Sequence, residues 1–176
     1  MIKSKRAKLY IMSVLMALEF IIAFSAIGYI QIGGATLTFA NIPVFAGAML
    51  LGPLESTALG LIFGLTSMWK AMSFYCTGID VLFSPIQSGN PLYSVILAVG
   101  TRIVFGLLAG LIYRMVDKSS KDKSRVVTVF SSLTLLLFNT AFFILLNALF
   151  GTNILYSESI MTTLLNFAVN LTVAVI

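Results

Sequence analysis

The sequence predicts an all-α integral membrane protein, a single bundle of six transmembrane helices with N-terminus and C-terminus on the cytoplasmic side. Three observations predict it. The chain is 59% hydrophobic and only 10% charged, with a mean hydropathy of +1.04, whereas a soluble domain is roughly half apolar and about a quarter charged. Apolar runs of span length, about 20 residues each, follow one another along all 176 residues and leave no room for a soluble domain. The cations flank these runs almost entirely on one side, with only Lys70 near a helix end on the other, the bias expected of a membrane protein's topology.

Each element follows from the local pattern. A short basic tail carries Lys3, Lys5, Arg6 and Lys8. The first span is expected over about 9–32, too long an apolar run for an ordinary signal peptide. Gly33-Gly34 breaks it, and Thr36-Leu37-Thr38 follows. A second, short span covers about 39–51, with Pro43 near its start, where proline is tolerated. Gly52-Pro53 is a tight turn into a third span at about 54–72. A polar loop follows, over 73–90. The fourth span covers about 91–115, and a charged linker, DKSSKDKSR, occupies 117–125. The fifth and sixth spans are expected at about 126–150 and 157–176. The sixth stops in apolar residues with no basic flank, the pattern of a chain that continues.

Orientation comes from the charges. The basic tail and the cluster Arg114, Lys118, Lys121, Lys123 and Arg125 fall on the same side when six spans are counted. Lys and Arg beside short loops stay in the cytoplasm, so the loop 73–90 and the Gly33-Gly34 turn face outside. The same bias accounts for the net charge of +5 without nucleic acid.

Composition excludes several chemistries. Histidine is absent and Cys76 is the one cysteine. That removes Ser-His-Asp and Cys-His catalysis, internal disulfides and the common zinc sites. No G-x4-G-K-[ST] run occurs, so ATP hydrolysis by that route is excluded. No cofactor or metal is expected.

An ionisable residue inside a span is costly and marks function by default. Arg102 and Glu19 are two such residues. They pair with each other, or Arg102 bonds to backbone carbonyls, or Arg102 forms the floor of a cavity and faces a carboxylate or phosphate, which the guanidinium fork fits. Asn139 and Asn147 in the fifth span and Asn166 and Asn170 in the sixth either bond between helices or line a polar cavity. Trp69, Phe74, Tyr75, Phe83, Tyr93 and Tyr156 form an outer aromatic belt, a subset of which closes over a ligand. Gly60-x3-Gly64 and Gly106-x3-Gly110 permit close helix contact, and Ser13-x3-Ala17 is a weaker case.

The run from Thr36 to Ser67, TLTFANIPVFAGAMLLGPLESTALGLIFGLTS, resembles the S-components of energy-coupling factor (ECF) vitamin transporters. So does NPLYSVILAVGTRIVFGLLAGLIYR, from Asn90 to Arg114, with its embedded arginine. The resemblance implies a prokaryotic plasma-membrane subunit that captures a vitamin outside the cell and joins a T-component and two ATPase subunits. It places the binding site in the outer loops and the outer ends of spans 4–6. The expected binding residues are Thr38, Asn41, Trp69, Tyr75, Arg102, Asn139, Asn147 and Asn166. Ser13 and Ala17 stand where such proteins carry A-x3-A for contact with the T-component. Among vitamins the overall pattern is most similar to pantothenate-type members, whose cargo carries a carboxylate for Arg102. Cobalamin, riboflavin, a thiamine-precursor pyrimidine and folate stay open. A stand-alone secondary transporter or small-solute channel is the alternative, although Glu19 is the only clear carboxylate within the spans.

Overall fold

The computed structural model describes residues 4–25, 28–32, 35–73 and 78–116, together with residue 168. The fifth and sixth spans, and with them Asn139, Asn147 and Asn166, lie outside the described residues, as does Tyr75.

Helix α1 runs Lys5–Phe24. A 20-residue helix is about 30 Å long, the thickness of the hydrocarbon core. It exposes Tyr10, Val14, Leu18, Ile21 and Phe24, a surface suited to lipid and too apolar for water. The expected first span extended to residue 32, but the helix stops eight residues earlier. Ser25 ends it: its hydroxyl donates to the Ile22 carbonyl at 3.0 Å and accepts from the Gly28 amide at 3.2 Å. A side chain at Gly28 would collide with that same carbonyl.

Strands β1 (Tyr29–Ile32) and β2 (Ala35–Thr38) then form an antiparallel hairpin, with Tyr29 opposite Thr38 and Ile32 opposite Ala35. The Phe39 amide closes its base on the Gly28 carbonyl at 3.0 Å. Pairing satisfies the backbone polar groups of a segment that is not helical. The hairpin is the one departure from helix-only structure that the described residues bring.

Helix α2 (Asn41–Leu50) has 10 residues and so reaches only about 15 Å, half the membrane. Gly52 makes the turn with a φ of 130°, and α3 runs Pro53–Ser73. A 3₁₀ helix, Gly78–Phe83, lies between α3 and the next helix. The next helix has three parts: α4 (Pro91–Val95), a π-helical segment (Ile96–Gly100) and α5 (Thr101–Val116). Two of the described helices, Lys5–Phe24 and Pro91–Met115, are long and apolar enough to cross a bilayer.

The tightest packing joins α3 to α5, through the two glycine pairs. A Cβ on Gly60 would stand 2.2 Å from the Arg102 carbonyl oxygen, and one on Gly106 would stand 2.3 Å from that of Ser56. The Ser56 hydroxyl donates to the Gly106 carbonyl at 2.7 Å. The core around this seam contains Leu15, Val44, Leu59, Phe63 and Phe105, with Phe45 and Phe105 edge to face at 5.2 Å. At one end of the bundle the Lys8 ammonium binds the Leu51 carbonyl at 3.1 Å and the Glu55 carboxylate at 2.7 Å. The start of α1, the α2–α3 turn and the end of α5 (Gly110 against Pro53) therefore share that end. The hairpin and the 3₁₀ helix occupy the other, where β2 touches the 3₁₀ helix.

Candidate functional site

Among the described residues, buried polar side chains are distributed unevenly. Ser56 lies near the Lys8 end and serves packing. Glu19, Asn41, Thr66, Ser67, Ser84, Ser94 and Thr101 are all buried in the half nearer the hairpin. In an apolar solvent a polar side chain needs an internal partner, so this layer is where the bundle is built to handle a polar group.

Arg102 is its centre. The π-helical segment just before it shifts the backbone register, so the Thr101 amide reaches the Ile96 carbonyl. Thr101 and Arg102 then both turn back on the segment. The Thr101 hydroxyl and the Arg102 guanidinium both donate to the Leu97 carbonyl, the latter at 3.3 Å, and Arg102 also donates to Ala98 at 2.9 Å. Such π segments recur at functional sites. The guanidinium carbon also lies 4.7 Å from the ring centroid of Phe63 and 4.7 Å from that of Phe83. A charged residue at mid-membrane costs about 2.5–3.5 kcal/mol on insertion scales. Two aromatic contacts of about 0.5–2 kcal/mol each and charged hydrogen bonds of about 1.5–3 kcal/mol offset that cost. Arg102 is thus held as a cation inside the bundle.

The loop that brings Phe83 is itself anchored. The Ser94 hydroxyl bonds to the Ser84 carbonyl at 3.2 Å and to the Ser88 hydroxyl at 2.6 Å. The Asn90 side chain caps α4 by accepting from the Tyr93 amide at 3.3 Å. Phe83 is therefore positioned by a serine-lined corner.

Of the residues expected to bind cargo, Arg102 lies in this layer. Asn41 is buried at the first position of α2, and Thr38 is half-buried at the end of β2. Trp69 is 63% exposed on α3. Ser13 and Ala17 are exposed on one face of α1, with the Ser13 hydroxyl turned back to the Leu9 carbonyl at 2.9 Å. The Glu19–Arg102 ion pair anticipated as one structural reading is not the arrangement found. Arg102 bonds to carbonyls, and among the described residues neither Glu19 oxygen has a hydrogen-bond partner. Sequence reasoning did not single out Phe63. Its place between the paired glycines, three residues after Gly60 and next to Gly64, was the available signal.

An arginine held in a polar layer beneath an anchored loop is an arrangement that can take an anionic group. A sequence model of the family described as ECF transporter, substrate-specific component, matches residues 7–176. The chain belongs to that family. It is a membrane protein that binds a substrate for transport, and its family is one of transporter components and not of enzymes. No curated protein matches the chain.

Proposed function

We propose that this protein captures pantothenate from outside a prokaryotic cell and delivers it, together with a T-component and two ATPase subunits, to the cytoplasm. The observation that carries this reading is Arg102, held between the π-segment carbonyls and the rings of Phe63 and Phe83. A planar guanidinium in a low-dielectric site recognises a carboxylate bidentately. Helix α2 supports the same reading, because it begins at Asn41 within the hairpin half and directs its positive dipole end toward that layer. Thr38 and Asn41 add hydrogen-bonding groups for the amide and hydroxyls of the cargo. Trp69, Tyr75, Asn139, Asn147 and Asn166 complete the proposed set.

The proposed topology puts both termini and the 117–125 linker in the cytoplasm. Lys5, Arg6 and Lys8 at the start of α1 and Arg114 near the end of α5 share one end of the bundle, which fits the positive-inside bias. The hairpin and the 3₁₀ helix then face outward. Ser13 and Ala17 present a small-residue face of α1 for the T-component.

The test is titration calorimetry of the purified chain with pantothenate, next to riboflavin, folate, cobalamin and a thiamine-precursor pyrimidine. Pantothenate should bind tightly. Arg102→Met should lose about 2–5 kcal/mol of binding, the cost of removing one partner of a buried charged contact. Tight binding of another vitamin with none of pantothenate sinks the pantothenate assignment. Equal affinity in the Arg102→Met protein sinks the role of Arg102.

A further inference from the structure

Glu19 is the group that the carboxylate-on-arginine reading leaves unused. It is 0% exposed, and among the described residues neither of its carboxylate oxygens accepts or donates a hydrogen bond. An unsatisfied buried polar group carries its full desolvation cost, more so for a carboxyl than for a hydroxyl. Folds retain such groups where something other than packing requires them.

Its position follows from the register of the helices. Leu15, one turn below, meets the layer in which Leu59 touches Gly47. One turn higher, Glu19 on α1 therefore stands level with Phe63 on α3, whose ring contacts the Arg102 guanidinium. The Arg102 Nη1 is directed to the Leu97 and Ala98 carbonyls. An acid and a base thus face one polar layer without a hydrogen bond between them.

We infer that Glu19 is a second cargo-binding group, which takes a hydrogen-bond donor of the solute while Arg102 takes its anionic end. The inference rests on the Arg102 reading above. It names the substrate class more narrowly: a small solute with a carboxylate or other oxyanion at one end and a hydroxyl, amide N–H or ammonium at the other. A solute without a donor makes no use of Glu19, and a neutral solute makes no use of the Arg102 charge. Two points of opposite character also fix the direction in which the cargo lies.

The experiment compares the wild-type chain with Glu19→Met and Glu19→Gln, each full length and in the same detergent. The melting temperature is read without ligand. Affinity is then read by calorimetry for pantothenate and for its analogue with both hydroxyls replaced by hydrogen. Glu19→Met should melt at or above the wild-type temperature, because a buried carboxyl with no partner is replaced by an apolar side chain. It should bind pantothenate at least about tenfold more weakly, the scale of one hydrogen bond to a charged group, and should lose less for the dideoxy analogue, which keeps only the amide N–H as a donor. Glu19→Gln, which keeps the shape and an acceptor, should fall between the two.

A Glu19→Met protein that melts several degrees lower without ligand overturns the inference and makes Glu19 a structural counterion of Arg102. Unchanged pantothenate affinity in that variant overturns it as well and leaves the Arg102 reading standing. If the wild type prefers another vitamin, Glu19→Met must weaken that vitamin at least about tenfold, and an unchanged affinity overturns the inference. If the wild type binds none of them, the Arg102 reading has failed, and the two-point site fails with it.

Discussion

Gly106→Ala is the smallest change that tests the seam between α3 and α5. The added Cβ would lie 2.3 Å from the Ser56 carbonyl oxygen, 2.9 Å from its carbon and 3.1 Å from Thr57 Cα. All three are backbone atoms of α3, so no side chain can rotate away. Restoring ordinary contact moves the helices apart by about 1 Å, in an interior packed at crystal density. That shift breaks the 2.7 Å bond from Ser56 to the Gly106 carbonyl, worth about 0.6 kcal/mol by membrane-protein averages. Overpacking adds about 1–3 kcal/mol. Alanine recovers up to about 1 kcal/mol through its higher helix propensity. The expected net loss is therefore about 1–3 kcal/mol. Gly100→Ala, six residues earlier, is the control. There a Cβ meets only Ile96 Cγ2, at 3.7 Å, and the change should be neutral or stabilising. Reversible unfolding in mixed micelles, followed by helical circular dichroism against rising SDS, measures both. A Gly106→Ala protein as stable as Gly100→Ala would refute the close-packed seam.

Phe83→Leu removes one of the rings on Arg102. Given about 0.5–2 kcal/mol for a cation–π contact, it should weaken pantothenate binding roughly 2- to 30-fold, measured by calorimetry, and Phe83→Tyr should restore most of it. Ser13→Leu with Ala17→Leu should leave vitamin affinity unchanged, because both residues are exposed on α1. The pair should abolish co-purification of the T-component and ATPases from cells that express all the subunits.

Much of the bundle was legible in the sequence. The spans expected at 39–51, 54–72 and 91–115 meet helices at Asn41–Leu50, Pro53–Ser73 and Pro91–Val116, because apolar length and Gly/Pro breaks are local signals. The hairpin was missed, although YIQI-GG-ATLT is two short runs around a Gly-Gly pair, a hairpin pattern. The apolar count masked it, since tyrosine and isoleucine extend a hydropathy window as well as any helical residue.

By itself, the sequence determined the membrane class, the turns, the two glycine pairs and the presence of an arginine where lipid makes one costly. These follow from transfer free energy and backbone sterics, which act on each residue where it stands. Only the tertiary structure decided that Gly60 and Gly64 meet the helix of Gly106 and Gly110. It also decided that Arg102 rests against Phe63 and Phe83, and that Glu19 shares its layer without bonding to it. The physical reason is that lipid and protein interior are equally apolar. Composition therefore does not distinguish a side chain that faces the bilayer from one that faces a neighbouring helix, and only the packing of residues far apart in the chain separates them.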